Sequence, residues 1–279
     1  MSLNLSPREI ALQYAEAGAV KARRPASQLI ALGVLAGLLI ALGGASTSTA
    51  VFGMSQPWTA KTVCALIFPF GLGMVVIMGA ELFTGNCLIV ISVLDGRCRW
   101  REMLRSWTIV YLANFAGALL AAAGCAFFGQ MDLSGGQLAL YVMRTAASKC
   151  AIPFANGVVL GFLCNVLVCL GVLMAMSARD SGGKLLCAYL PVSFFVLCGF
   201  EHSVANMYYI SAGLMARAVP AYAQLAAETG LDLSGLSVGG FLLNLLPVTL
   251  GNILGRLPGL AGVVLPFEKI AAAMSSPVN

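Results

Sequence analysis

The only histidine of the chain, His202, follows a glutamate in the apolar stretch CGFEHSVANMYYI, residues 198–210. Imidazole can donate and accept a hydrogen bond, and its ordinary pKa of about 6.5 lets it carry a proton near neutral pH. A glutamate in such a stretch must be neutral, paired or hydrogen-bonded, because burying an isolated charge is costly. These residue types therefore suit contact with an anion or transfer of a proton.

A second stretch, GAELFTGN at residues 79–86, has the same form G-x-E-x-x-x-x-N as residues 199–206. The shared acids and amides are Glu81, Asn86, Glu201 and Asn206. Each carboxylate can accept from backbone N–H groups, and each amide can satisfy N–H groups or carbonyls. We interpret these four side chains as pinning two loops. Thr84 and His202 then remain as the strongest polar candidates for contact with a substrate, and the threonine hydroxyl can hold the imidazole ring.

Metal and enzyme chemistry find little support in the sequence. The nine cysteines are scattered without a CxxC pair and are interpreted as packing residues, and a single histidine beside them does not favour a zinc or haem site. Adjacent residues such as Glu201 and His202 point in different directions on regular structure, and no nucleophile set accompanies them. We therefore expect no cofactor, no metal and no enzymatic activity.

The composition indicates an integral membrane protein. The chain is 59% hydrophobic and 10% charged, whereas soluble domains carry about 25% charged residues. The net charge of +5 does not indicate nucleic-acid binding, because the basic residues lie in short loops between apolar runs. The first twenty-six residues have no apolar core of a signal peptide.

Six apolar segments are long enough to be spans, and two of them are unusual. Ordinary spans are expected at 28–52, 107–128, 154–176 and 238–254, the last with a possible extension toward 265. Segments 62–94 and 185–215 each carry one acid near the middle, and each is too long for one span and too short for two. A helix broken part way fits this length, and its irregular backbone must be buried in protein or line a watery cavity. A structural or receptor membrane protein would not need two such matched breaks.

Three local matches recur in the same order along the chain. GVLAG (33–37) matches GVVLG (157–161), GAELFTGN matches GFEHSVAN, and NFAG (114–117) matches NILG (252–255). These matches predict two halves with three spans each. Because three is an odd number, the second half must lie inverted in the bilayer relative to the first. Inverted repeats with paired broken helices are a transport architecture with the substrate site near the midplane. We expect repeats at 27–128 and 154–266 within a channel domain at 27–270, and a tail at 271–279.

Basic residues give the orientation. Of the sixteen lysines and arginines, twelve fall on the side of the N-terminus and four on the other side. Both termini are therefore expected in the cytoplasm, with the protein in the inner membrane. Residues 1–26 are expected to contain an interfacial amphipathic helix, in which Ser6 caps the N-terminus, Pro7 takes the first position and Glu9 completes a capping box.

GAELFTGN, CGFEHSVANM and PVTLGNILG resemble the formate/nitrite transporter family, and the resemblance covers residues 5–265. It implies an all-α membrane protein with an aquaporin-like protomer, assembled as a homopentamer in which each protomer has its own pore. Formate is the first expected substrate because the whole motif set is typical of formate-type members. Nitrite and hydrosulfide stay open as alternatives, and acetate or lactate could leak through.

The resemblance also assigns roles to single residues. His202 would be the central pore histidine, Thr84 its partner and Asn165 a polar residue of the fourth span near it, while Lys149 would match a lysine of the outer vestibule, on a loop. An apolar constriction would contain Phe68, Leu72 and Phe195 on the outer side and Leu82 and Phe83 on the inner side. One departure is Arg256, which replaces the second glycine of a GNxxGG motif and is expected to reach the cytoplasmic interface.

Two mechanisms fit this arrangement. Apolar rings on both sides of a polar centre would keep continuous water out of the pore. Lys149 and the N–H dipoles of the loops would attract the anion. His202 would then hand it a proton so that a neutral acid crosses, or a charged imidazole would pair with the passing anion. Proton relay is our working hypothesis.

Overall fold

The computed structural model describes residue 5 and residues 7–256, and within this part the chain forms helices and no strand. The α-helices are α1 Pro7–Arg23, α2 Ala26–Val51, α3 Pro57–Ile67, α4 Phe70–Ile77, α5 Phe83–Asn86, α6 Val90–Leu94, α7 Trp100–Phe127, α8 Leu133–Cys150, α9 Phe154–Ser177, α10 Ser181–Cys198, α11 Ser203–Ala218, α12 Pro220–Glu228 and α13 Val238–Leu254. Short 3₁₀ helices lie at Cys87–Ile89 and Gln130–Asp132. The expected Ser6 cap, the extension of the last span toward 265 and the tail at 271–279 lie outside the described residues.

The apolar helices confirm a multi-pass membrane protein. By length and composition, five helical segments in the described part can cross a membrane: Ala26–Val51, Pro57–Ile77, Trp100–Phe127, Phe154–Ser177 and Ser181–Cys198. Phe83–Leu94 and Val238–Leu254 are shorter apolar helices. The expected start at 107 was wrong by seven residues, because the Glu102 carboxylate accepts the backbone N–H of Arg99 at 2.8 Å and α7 begins at Trp100.

In each of the two long segments the helix stops and starts again. Residues 78–82 separate α4 from α5, and residues 199–202 separate α10 from α11. Gly79 (φ 62°) and Gly199 (φ 73°) are left-handed at the two stops, which is how glycine commonly ends a helix. The first residue of each G-x-E-x-x-x-x-N motif is thus the helix terminator. Pro57, suited to the first turn, starts α3 five residues before the expected boundary.

Glycines bring the backbones of α2 and α7 into direct contact, and α9 and α13 pack in the same way. A Cβ on Gly37 would lie 2.0 Å from the carbonyl oxygen of Asn114, and a Cβ on Gly251 would lie 2.1 Å from that of Val158. Such small-residue contacts let helices approach closely in membranes. They bring the asparagines of α7 and α13 to the two helix interruptions.

The helices α1 and α8 both carry residues that contact the helix interruptions. Helix α1 packs against the body of the protein, since Tyr14 is fully buried and its hydroxyl donates to the carbonyl of Gly85 at 3.2 Å. Lys149 was expected on a loop, but residues 133–150 form α8, which has left-handed residues at 134–136 near its start. Lys149 therefore lies on the last turn of a helix.

Candidate functional site

His202 and Thr84 meet where the two helix interruptions approach each other. The Nε2 atom of His202 lies 2.9 Å from the hydroxyl oxygen of Thr84, and both side chains are buried. His202 also caps α11, since its Nδ1 accepts the backbone N–H of Ala205 at 3.0 Å. The structure thus brings together the two polar residues that the sequence singled out.

The cap determines the tautomer of the imidazole ring. A nitrogen that accepts an N–H cannot carry a proton itself, so Nδ1 of His202 is unprotonated in this arrangement. In the neutral ring the proton is then on Nε2, which donates to the oxygen of Thr84. The hydroxyl hydrogen of Thr84 remains available for an acceptor such as an anion.

Two asparagines, rather than the glutamates, hold the backbone of the interruptions. Asn114 accepts the N–H of Phe83 at 2.9 Å and donates to the carbonyls of Glu81 (2.9 Å) and Gly33 (2.7 Å). Asn252 makes the corresponding bonds: it accepts from Ser203 at 2.8 Å and donates to Glu201 (3.0 Å) and Gly161 (2.8 Å). Sequence reasoning found both residues in the repeated NFAG and NILG matches but gave them no role.

The motif glutamates are held by side chains. Asn86 donates to Glu81 at 2.6 Å, and Lys21 (3.1 Å) and Arg24 (2.5 Å) of the N-terminal region form ion pairs with the same carboxylate. The expectation that freed backbone N–H groups satisfy these acids was wrong, because basic side chains reach them.

Glu201 has the same kind of environment on the opposite side. Asn206 donates to it at 2.6 Å, and Lys149 contacts both of its oxygens at 2.9 and 3.0 Å. Asn244 accepts from the amide of Asn206 at 2.8 Å and donates to the carbonyl of Lys149 at 2.8 Å. Each predicted acid–amide pair is therefore a contact in the structure, and each is joined by a base.

One cavity, which we call the outer cavity, leads to His202 and has a volume of about 260 Å³. Aromatic rings lie between its mouth and the centre. Phe68 and Phe195 pack edge to face with centroids 6.0 Å apart, and Phe195 stacks on the His202 ring at 5.9 Å. Lys149 and Glu201 also line this cavity.

A second cavity, the inner cavity, has a volume of about 380 Å³ and lies toward α1. Leu72 and Leu82 line it, together with the basic side chains of Lys21, Arg24 and Lys184. The expected position of Leu72 beside Phe68 on the outer side was therefore wrong. Leu72 lies on α4, one turn beyond Phe68, and lines the opposite cavity with Leu82.

Phe83 and Asn165 lie outside both cavities. The Phe83 ring packs on Tyr111 (4.7 Å) and Trp107 (6.2 Å) and lines an apolar groove between α7 and α13. Asn165 is buried and donates to the carbonyl of Asn252 at 2.5 Å. In the described residues it has no hydrogen bond to the His202 ring.

Arg256 turns inward instead of reaching the interface. Its guanidinium carbon lies 4.9 Å from the centre of the Trp107 ring, whose Nε1 donates to the carbonyl of Asn86 at 2.8 Å. Two guanidinium nitrogens are buried, and neither has a hydrogen-bond partner within the described part of the chain. The aromatic face of Trp107 offers the cation a favourable contact in place of the hydration that it would have at the interface.

The residues of the described part include no group of three His, Cys, Asp or Glu side chains that could hold a metal ion. The polar centre thus consists of an imidazole and a hydroxyl group, with paired acids at its two sides. Such a set can donate hydrogen bonds to a small anion or exchange a proton with it.

Comparisons with known proteins agree on one family. A profile described as formate/nitrite transporter matches residues 8–265. The chain is 37% identical over 260 residues to the formate channel FocA of Haemophilus influenzae, with 91% of both chains covered. It is 35% identical over 269 residues to a probable formate transporter of Methanothermobacter thermautotrophicus, with 90% of this chain and 92% of that protein covered. A solved structure described as a pentameric formate channel with formate bound superposes with a TM-score of 0.75 at 33% identity, covering 88% of this chain and 98% of that one.

Proposed function

Because the chain belongs to the formate/nitrite transporter family, we propose that it is a membrane channel for small monovalent anions and that formate is its substrate. The observation that carries this proposal is the buried Thr84–His202 contact between two cavities. Formate is chosen over nitrite and hydrosulfide because relatives that match over about nine-tenths of the chain are named formate channels or transporters.

The protomer has six spans in two inverted repeats, with broken helices as the second and fifth spans. Helices α2, α3–α6 and α7 form the first repeat, and α9, α10–α11 and α13 form the second. The recurring asparagine and glutamate contacts support this arrangement. Lys21 of α1 pairs with Glu81 as Lys149 of α8 pairs with Glu201, so α1 and α8 extend the repeat.

The protein acts as a homopentamer in the inner membrane, with both termini in the cytoplasm. The pentameric channel among the similar structures and the excess of basic residues on one side support this. The domain limits are those given above: a helix within 1–26, a channel domain at 27–270 and a tail at 271–279.

An anion crosses from the outer cavity to the inner cavity through the polar centre. It passes the rings of Phe68 and Phe195, meets the Thr84 hydroxyl, and leaves past Leu72 and Leu82. The apolar side chains prevent a continuous water column. Since a bare charge at this depth costs several kcal/mol, a hydrogen bond or a proton at the centre must offset the lost hydration.

The tautomer of His202 defines what proton relay requires. As a neutral ring, His202 supports the oxygen of Thr84, and the threonine hydroxyl donates to formate. For relay, a proton must first bind Nδ1, which breaks the cap and leaves the buried N–H of Ala205 unsatisfied at a cost of about 1–3 kcal/mol. The imidazolium then gives the Nε2 proton to Thr84, whose own proton passes to formate, and neutral formic acid leaves. The ring returns to neutrality with its proton on Nδ1.

A panel of uptake measurements tests this function. Purified protein in vesicles, without any cosubstrate, should take up labelled formate faster than nitrite, hydrosulfide, acetate or lactate at two pH values. Faster flux of nitrite or hydrosulfide would keep the anion channel and replace the substrate. Flux of none of them above empty vesicles would refute the channel.

A further inference from the structure

The outer cavity contains an ion pair whose charges cancel. Lys149 contacts both oxygens of Glu201 at 2.9 and 3.0 Å, and its ammonium lies 5.5 Å from the centre of the Tyr209 ring. Because the base and the acid compensate each other, this pair adds no net charge to the cavity. Lys149 therefore positions Glu201, and with it the loop that carries His202.

Lys61 is the other cation of the same cavity. It lies on α3, it is exposed, and among the described residues no acid pairs with it. Its ammonium lies close to Gly199: the Nζ atom is 2.8 Å from the position that a Cβ atom on this glycine would occupy. That position is at the C-terminal end of α10, where a cation is favoured by the helix dipole. Among the described residues that line the outer cavity, the net charge is therefore the single charge of Lys61.

We propose that Lys61 captures the substrate anion at the outer mouth of the pore. This inference rests on the proposed function and assigns the entry step to one residue. A cavity with walls of low dielectric constant focuses the field of an uncompensated charge and raises the local concentration of the opposite ion. The anion then stays bound in the outer cavity until it passes Phe68 and Phe195 and contacts the polar centre.

The inner cavity does not depend on one charge in this way. Lys21 and Arg24 share the single carboxylate of Glu81, and Lys184 also lines the cavity. Removal of any one of these three cations leaves a net positive charge on the inner side. Removal of Lys61 leaves no net charge among the described residues that line the outer cavity, so capture from outside should be the more sensitive step.

Cys64 gives a direct probe of the local potential, independent of transport. It lines the outer cavity three positions after Lys61, and its side chain is half-buried. The rates at which anionic and cationic methanethiosulfonates modify Cys64 are measured by mass spectrometry, and their ratio cancels any change in the ionisation of the thiol. Lys61→Gln should lower the anionic-to-cationic ratio about four-fold at 0.1 M salt, from the screened Coulomb energy of charges about 6 Å apart.

Arg144→Gln is the matched control, because it removes an exposed charge from α8 that does not line the cavity. It should leave the ratio unchanged, and Lys61→Arg should keep it near the wild-type value. An unchanged ratio in Lys61→Gln would overturn the proposal, as would an equal drop in the control.

Formate uptake then tests capture itself. In Lys61→Gln, uptake at low formate concentration and low ionic strength should fall about three-fold, with the maximal rate kept and the difference lost at high salt. Normal low-concentration uptake despite a changed ratio would overturn the capturing role. A lowered ratio in Lys61→Gln, together with wild-type flux of a different anion in place of formate, would retain the capturing charge and refute formate as the substrate.

Discussion

Replacement of Asn252 by alanine should destabilise the protein because it removes three hydrogen bonds at once. The side chain accepts from Ser203 and donates to the carbonyls of Glu201 and Gly161. A hydrogen bond within a membrane protein contributes about 0.6 kcal/mol on average and up to about 1.7. Three of them at a fully buried position give a loss of about 2–3 kcal/mol in the free energy of unfolding.

Thermal unfolding in detergent measures this loss, and we expect the midpoint of Asn252→Ala to fall by about 4–10 °C. Asn252→Asp is the matched variant, because it retains the acceptor for Ser203 and removes both donors. Asn114→Ala should cost about as much as Asn252→Ala, since the bonds of Asn114 to the first interruption correspond one by one. A midpoint within about 1 °C of wild type for Asn252→Ala would refute the reasoning.

The remaining predictions concern the ring, the outer ion pair and the packing of helices. His202→Asn keeps a side chain that can cap α11, so it should fold normally and lose the pH dependence of formate uptake; an unchanged pH profile would remove the ring from proton relay. Lys149→Ala leaves Glu201 buried without its base and should cost about 2–4 kcal/mol in thermal unfolding, most of which Glu201→Gln should restore in the double variant; no recovery would contradict a charge effect. Gly37→Ala should lower the midpoint strongly, because its Cβ would overlap a carbonyl of α7, whereas Gly124→Ala, with open space around the position, should not; equal effects would contradict the close packing.

The sequence alone predicted the outline of the fold and the centre of the site. Apolar length located the spans. The motif with Glu81 and Glu201 located the two helix interruptions, because a continuous apolar helix of that length would leave a central acid without polar partners in the bilayer. The Thr84–His202 contact agrees with the expectation that the threonine hydroxyl holds the imidazole ring, because the two matched interruptions meet at these residues.

Other features depend on three-dimensional packing that a single sequence does not specify. Lys21 and Glu81 are 60 positions apart, and only the docking of α1 brings them together. Leu72 and Phe83 were assigned to the wrong surroundings because the direction of a side chain near a helix interruption depends on local backbone angles. We expected backbone N–H groups to donate to the motif glutamates. In the structure, Asn114 and Asn252 bind the backbone of the interruptions, and lysine and arginine side chains pair with the glutamates.

The central claim is that formate passes the Thr84–His202 pair in contact with the Thr84 hydroxyl, and one uptake measurement tests it most directly. Thr84→Phe places a ring against the imidazole and should reduce formate uptake in vesicles to the level of empty vesicles. Leu120→Phe adds a ring at an exposed apolar position of α7 and should keep wild-type uptake. Wild-type uptake by a folded Thr84→Phe protein would show that the anion takes another path and would contradict the account.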